Sequence, residues 1–151
     1  MDPRFVADVM LGRLAKWLRV LGCDTHYQSY YGENNLRRLV QDGRKLLSRR
    51  SETVRTNPGS LLIRSDRVGA QIQEMLQWGV LTLNRSAWFT RCIRCNVPLE
   101  QPSPGTPRGG VPDYVLHERG HELRHCPSCR RFFWPGSHRQ RMLRQLEEWG
   151  L

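Results

Sequence analysis

At 151 residues, the chain has room for one ordinary domain, or for one small domain joined to a metal-stabilised segment. A mean hydropathy of -0.61 and the lack of any long apolar run argue against a membrane-spanning protein. The opening residues do not show the basic-then-apolar pattern of a secretory signal, so we expect a cytoplasmic protein.

The chain is strongly basic, with a net charge of +10, and Lys16 and Lys45 are its only lysines. An excess of arginine favours a polyanionic partner, because arginine binds phosphate bidentately and each neutralised phosphate releases counterions. A codon bias towards arginine that merely keeps the protein soluble would give the same composition. Charge therefore favours nucleic-acid binding without establishing it.

Residues 1–88 alternate between predicted strands and helices, and we expect them to form the first domain. Short apolar segments predict strands over 4–7, 25–27, 45–48 and 60–63, and apolar residues at helical spacing predict helices over 11–21, 33–40 and 68–78. This alternation predicts a mainly parallel sheet flanked by helices. Such open sheets bind ligands beyond the carboxyl ends of their strands.

Residues 89–151 are expected to form a second, smaller domain. Its middle, residues 101–112, is rich in Pro and Gly and predicts an irregular loop. The final segment, residues 139–149, predicts an amphipathic helix. Its apolar face, which includes Leu143 and Leu146, could serve as core for this domain or as the surface of a homodimer.

Two Cys-x2-Cys pairs form the most specific pattern in the sequence: Cys92 with Cys95, and Cys126 with Cys129. Each pair presents two thiolates from one turn, and two such turns together make a tetrahedral sulfur site suited to Zn²⁺. Disulfides are the alternative, but a reducing cytoplasm disfavours them. Because four protein ligands leave no open position, the zinc would be structural.

Two aspartates lie where the predicted parallel sheet would bind a ligand. Asp8 directly follows the first predicted strand, and Asp66 follows the fourth. Carboxylates gathered at that edge could hold Mg²⁺ or Mn²⁺ and activate water against a phosphodiester. Each could equally be a helix N-cap, a position that Asp commonly occupies.

Several stretches of the sequence match one known pattern. They are FVADVMLGRLAKWLR at 5–19, LGCDT at 21–25, GRKLLSR at 43–49, Ser65-Asp66 with Gln71, Arg91-Cys92-x2-Cys95-Asn96, and Cys126-x2-Cys129 followed by WPGSH at 134–138. Together they closely resemble the Mut-seven C-terminal RNase family, and the resemblance spans nearly the whole chain. The resemblance implies a PIN-like α/β domain with a mainly parallel sheet, followed by a small four-cysteine zinc ribbon with a C-terminal helix.

The resemblance also implies metal-dependent cleavage of RNA, with single-stranded RNA as the expected partner. Its acids would be Asp8, Asp66 and Glu33, binding catalytic Mg²⁺ or Mn²⁺. The residues expected to contact RNA are Arg13, Lys16, Arg49 and Arg50.

The sequence departs from the family pattern at two positions of the acidic site. Near the start of the second predicted helix, where the family has an acid, Glu33 is the acid available. After the third predicted strand the family has an aspartate, whereas this chain has Arg50. At an effective dielectric of about 20, a unit charge about 4 Å away is worth about 4 kcal/mol. An inward-pointing Arg50 would therefore oppose a divalent ion.

Three hypotheses follow from the sequence. The first is a divalent-metal-dependent ribonuclease with an incomplete acidic site, and the second is an RNA-binding protein that has kept the fold and lost the chemistry. The third is a protein-interaction adaptor that docks through the zinc ribbon and the terminal helix. Salt-sensitive affinity for RNA would separate the first two from the third.

Overall fold

The computed structural model describes residues 2–151 of the chain. The chain divides into two compact units, the first ending at Asn96 and the second covering Val97–Leu151. None of the helices within residues 2–151 is long and apolar enough to cross a membrane.

A four-stranded parallel sheet forms the centre of the first unit. Its strands are β1 (Phe5–Ala7), β2 (Thr25–Tyr27), β3 (Lys45–Ser48) and β4 (Leu61–Leu62), in the spatial order β2-β1-β3-β4. Phe5 lies opposite Thr25 on one side and Lys45 on the other. The parallel sheet predicted from the sequence is therefore confirmed, and the carboxyl ends of its strands share one edge.

Helices cover this sheet, and two of them supply buried apolar residues to its core. They are α1 (Gly12–Val20), α2 (Glu33–Gln41), α3 (Ser51–Thr56) and α4 (Val68–Gln77). Leu14 and Leu18 of α1 and Ile72 and Met75 of α4 are fully buried, since residues three to four apart fall on one helix face. The short helix α3 was not predicted, because Val54 is its only large apolar residue and no periodic pattern marks it.

The chain turns sharply after α1 at Gly22, which has φ of +88°. A Cβ at this position would lie 2.3 Å from the carbonyl oxygen of Ala87, so only glycine fits. The predicted end of the first helix at this residue is confirmed, and the turn leads the chain back towards β2.

The second unit is small. It contains α5 (Asp113–Arg119), the antiparallel strands β5 (Arg124–His125) and β6 (Phe132–Phe133), and α6 (Ser137–Glu148). Val111, Val115 and Leu123 are its buried cluster, and Phe132 and Trp134 pack against it. The predicted loop over 101–112 has no helix or strand. In α6, Leu146 is buried whereas Leu143 is 36% exposed; a homodimer formed through this helix stays a prediction.

Candidate active site and metal centre

Asp8 lies at the carboxyl end of β1 and is 1% exposed. Its main-chain N–H donates to the carbonyl of Leu47 at 2.9 Å, which extends the β1–β3 pairing by one residue. Its side chain accepts a hydrogen bond from the N–H of Val9 at 2.8 Å and so caps the short 3-10 turn Val9–Leu11. Asp8 is therefore an N-cap, but this hydrogen bond uses only part of the acceptor capacity of its carboxylate.

The remaining capacity of the Asp8 carboxylate is taken by two side chains that follow or end β3. Ser48 Oγ donates to Oδ2 at 2.7 Å. Arg50 Nη2 lies 2.8 Å from Oδ1 and 3.0 Å from Oδ2, and Arg50 Nε donates to Oδ2 at 3.1 Å. The Ser48 hydroxyl in turn accepts from the Arg50 N–H at 3.1 Å. Arg50 therefore points inward, onto the acid.

This ion pair changes the protonation behaviour of both partners. Burial alone raises the pKa of Asp8, but hydrogen bonds from Arg50, Ser48 and the Val9 N–H outweigh it and the pKa falls below its ordinary value. The hydrogen bond and charge of Asp8 raise the pKa of Arg50. Because one negative and one positive charge face each other, the centre has no net charge.

The other two predicted acids lie elsewhere on the first unit. Glu33 is the first residue of α2, and Asp66 follows β4 and precedes Arg67, the N-cap of α4. Both side chains are exposed, and within residues 2–151 neither forms a converging group of three acids with Asp8. Their catalytic roles stay predictions.

The predicted RNA-contacting residues divide into two sets. Arg13 and Lys16 are exposed on α1. Arg49 and Arg50 follow β3 at the carboxyl edge of the sheet, where Arg49 Nη2 donates to the carbonyl of Arg64 at 3.3 Å. The contact of Arg13 and Lys16 with RNA stays a prediction, as does that of Arg49 and Arg50.

Three polar side chains of the first unit were missed by sequence reasoning. They are Ser48, described above, and the pair Tyr31 and His26. The Tyr31 hydroxyl and His26 Nδ1 share a hydrogen bond of 2.9 Å. Burial raises the pKa of Tyr31 to about 12, with a smaller contribution from the charge of Asp8. Ser48 could have been noticed as a polar residue ending an apolar strand, whereas nothing in the sequence indicates the His26–Tyr31 pair.

The two cysteine turns have matching geometry. In the first, the N–H of Cys95 points to Cys92 Sγ at 3.4 Å and the N–H of Asn96 donates to the Cys92 carbonyl at 2.9 Å. In the second, Cys129 and Arg130 make the corresponding contacts to Cys126 at the same two distances. An N–H directed at sulfur favours the thiolate that a metal requires.

The four cysteine ligand atoms lie within 4.8 Å of one another, and Cys92 and Cys126 are buried. Four thiolates at this spacing fit tetrahedral Zn²⁺ and leave no position for a reacting water. Within residues 2–151 this is the one group of three or more His, Cys, Asp or Glu side chains that converges on a metal-sized space. The cluster is consistent with the structural zinc and the zinc ribbon predicted from the sequence.

A family model described as the Mut7-C RNAse domain matches residues 3–146. The chain belongs to this family. The resemblance drawn from the sequence motifs is thereby confirmed, and membership supports a ribonuclease function. No curated protein and no solved structure matches the chain.

The acidic centre of this Mut7-C chain does not fit a divalent metal ion as its residues lie. Asp8 is already bonded to Ser48, to a backbone N–H and to Arg50, and Mg²⁺ prefers free carboxylate oxygens and water. Because Arg50 places a cation against the buried carboxylate of Asp8, a metal would meet no net negative charge. Any divalent ion would first have to displace the Arg50 guanidinium.

Proposed function

We propose that this protein binds single-stranded RNA at the carboxyl edge of the first unit's sheet, with the hydrolytic centre of its family neutralised by the Asp8–Arg50 ion pair. The observation that carries the proposal is the position of Arg50, whose fork covers both carboxylate oxygens of a residue that is 1% exposed. Membership in a ribonuclease family and the net charge of +10 support RNA as the partner.

The free energy of the hydrogen bonds between Asp8 and Arg50 favours a centre in which Arg50 stays on the carboxylate and excludes a metal ion. A hydrogen bond to a charged group contributes about 1.5–3 kcal/mol, and the fork arrangement of Arg on a carboxylate is among the stronger ones. Moving Arg50 away would leave a buried carboxylate with only Ser48 and a backbone N–H. A divalent ion would have to compensate for the lost Arg50 hydrogen bonds through the Asp8 carboxylate, since the exposed side chains of Glu33 and Asp66 lie elsewhere on the first unit.

Arg50 can bind a phosphate while it holds Asp8. Its side chain is 54% exposed, and within residues 2–151 its bonds to Asp8 use only Nε and Nη2. Nη1 therefore keeps two N–H donors for a phosphate oxygen. With Arg49 beside it at the same edge, the centre offers two guanidinium groups to an RNA backbone.

Metal-dependent ribonuclease activity is the second candidate. Two observations favour it: the family is a ribonuclease family, and Asp8 is retained at the end of β1. The exposure of the Arg50 side chain also gives it room to swing outward. This candidate requires Arg50 to leave the carboxylate when RNA and Mg²⁺ or Mn²⁺ are present.

Cleavage and binding assays on the zinc-loaded protein separate the two candidates. Purified wild type, Asp8→Asn and Arg50→Asp would be incubated with single-stranded RNA and Mn²⁺ or Mg²⁺, each with an EDTA control. Arg37→Asp on α2 is the matched variant, because it makes the same charge change at an exposed position of another element.

A wild type that binds RNA with strong salt dependence and does not cleave it supports the proposal. Cleavage gained in Arg50→Asp but not in Arg37→Asp would show that Arg50 is what closes the centre. Wild-type cleavage that both EDTA and Asp8→Asn abolish would establish the second candidate instead. Absence of any salt-sensitive RNA affinity would overturn both and leave the adaptor hypothesis.

A further inference from the structure

A groove of about 390 Å³ lies at the free edge of the first unit's sheet, where β4 pairs only with β3 among the described strands. Its floor and walls include the β4 residues Leu61 and Leu62, Val54 from α3 and Val80 after α4. Neither the family match nor the Asp8–Arg50 centre accounts for this groove.

Trp78 lines the groove and is 68% exposed. It follows α4 as its C-cap residue, so its backbone N–H is held by the carbonyls of the last helical turn. A large aromatic ring exposed on a rigid helix end forms a stacking surface at little entropic cost. Bases of single-stranded nucleic acids stack on such rings.

The charged residues of the groove are basic. Lys45 and Arg64 line it, and none of the described lining residues is acidic. Lys45 Nζ donates one hydrogen bond, to the carbonyl of Gly59 at 3.0 Å, which leaves two N–H donors. The carboxylate of Glu74, near Arg64, already accepts from the N–H groups of Arg64 and Ser65 at 2.9 and 2.7 Å.

One hydrogen bond links the groove to the residue that precedes Arg50. Arg49, adjacent to Arg50 in the chain, donates through Nη2 to the carbonyl of Arg64 at 3.3 Å. Arg49 therefore lies between the Asp8–Arg50 centre, which it adjoins in the chain, and Arg64, which lines the groove. Basic side chains are thus present both at the centre and at the groove, as contact with a phosphate backbone requires.

We propose that this groove binds a nucleobase of single-stranded RNA, stacked on Trp78, with the flanking phosphates held by Lys45 and Arg64. The inference rests on the RNA binding proposed above and adds a subsite away from the acidic centre. An extended peptide pairing with β4 is the competing occupant of a sheet edge. Basic charge without any acidic residue among the described lining residues favours RNA over a peptide.

Fluorescence anisotropy with a labelled oligouridine measures the effect of removing the ring. Trp78→Ala on the full zinc-loaded chain should weaken binding about tenfold, and Trp78→Phe should lose less because it keeps an aromatic face. Tyr114→Ala, which removes another exposed aromatic residue, is the control and should leave the affinity unchanged. Arg64→Gln should lower the salt slope by about one, more than Arg37→Gln does.

Fluorine NMR tests whether the oligouridine contacts Trp78 directly, which a purely structural role of Trp78 would not produce. The five tryptophans would be replaced by fluorotryptophan, and the Trp78 resonance assigned by its loss in Trp78→Phe. Addition of the oligouridine should shift this resonance, whereas the Trp88 resonance, from a buried residue, should stay in place.

The outcomes distinguish this subsite from the wider proposal. If the wild type binds the oligouridine but Trp78→Ala binds equally well and the Trp78 resonance does not move, the subsite is overturned and the RNA-binding proposal stands. If the wild type shows no affinity for RNA, both are overturned. A weaker Trp78→Ala together with a shifted resonance supports the subsite.

Discussion

Asn96 and Arg130 adopt the same left-handed backbone conformation, with φ of 63° and 64°, each one residue after the second cysteine of its turn. Each donates its N–H to the carbonyl of the first cysteine of its turn, at 2.9 Å. Asparagine visits this region readily, whereas a long side chain such as arginine is disfavoured there by roughly 1–2 kcal/mol. The second cysteine turn therefore carries strain that the first does not.

We expect Arg130→Gly to stabilise the zinc-loaded protein. Glycine removes the left-handed penalty but makes the unfolded chain more flexible, and the net gain should be about 0.5–1 kcal/mol. Urea unfolding of the zinc-loaded protein, followed by circular dichroism, measures the change. A loss of stability would mean that the Arg130 side chain contributes more than its backbone strain costs.

The same change at the first turn should have the opposite sign. Asn96 Oδ1 accepts from the N–H of Thr25 at 2.9 Å, and Asn96 Nδ2 donates to Asp24 at 2.7 Å. Asn96→Gly deletes both hydrogen bonds and leaves the Thr25 N–H, which belongs to a fully buried residue, without this partner. We expect a loss of about 1–3 kcal/mol in the same urea experiment, and equal effects of the two glycine variants would contradict this interpretation.

Arg19 should control how firmly the first cysteine turn holds its metal. This residue is buried, and its guanidinium donates to the carbonyls of Thr25, Ile93 and Arg94 at 2.9–3.2 Å. Arg19→Lys keeps a charge but loses the fork that joins these carbonyls. Zinc transfer to a colorimetric chelator should become at least several-fold faster than in wild type, while exposed Arg13→Lys on the same helix should behave as wild type. Equal rates for both variants would show that Arg19 does not support the turn.

The sequence predicted the sheet well because its strands are short, apolar and separated by periodic helices. Thr25–Tyr27 and Lys45–Ser48 match the predicted bounds, whereas α3 and α5 have too few periodic apolar residues to be recognised. At the site, position along the chain placed Asp8 at a strand end, and the family pattern drew attention to Arg50. The direction of the Arg50 side chain, and the contribution of Ser48, depend on packing between strands 40 residues apart in sequence, which no local pattern encodes.

The Asp8–Arg50 pair should make stability depend on pH in the acid range. The folded pKa of Asp8 lies below its ordinary value of 3.8, so the unfolded chain binds the proton more readily. The stabilisation is therefore complete above about pH 5 and is lost as pH falls through the folded pKa. Arg50→Ala removes the first of the hydrogen bonds that lower this pKa, together with the charge of the arginine, so this advantage should be reduced.

At pH 7 we expect Arg50→Ala to be less stable than wild type by about 1–2 kcal/mol, a value reduced by the exposure of the arginine. The difference should shrink as pH falls below about 5, because Asp8 is protonated at a higher pH in Arg50→Ala than in the wild type. Arg55→Ala is the control: its pair with Glu52 is exposed on both sides and should contribute less than about 0.5 kcal/mol. Urea midpoints measured from about pH 3 to pH 7 test this, and a difference that does not vary with pH would contradict it.

Zinc removal should unfold the second unit. Among the described residues, its buried cluster consists of Val111, Val115 and Leu123, and even with Leu146 this core is too small to fold unaided. Structural zinc binding contributes folding free energy of about 10 kcal/mol or more. We expect one zinc per chain, and Co²⁺ substitution should give the absorption of a tetrahedral thiolate site.

The remaining cysteine provides the control for this metal. Cys23 lies outside the cluster, and burial raises its pKa to about 11, so it is a thiol at neutral pH. Cys23→Ser should therefore keep one zinc per chain, whereas Cys129→Ser should lose the tetrathiolate spectrum and the structure of the second unit together. Acid should release the metal, because the four thiolates that bind it must then be protonated. Full metal binding in Cys129→Ser would exclude the four-cysteine site. Loss of zinc in Cys23→Ser would show that Cys23 also contributes to zinc binding.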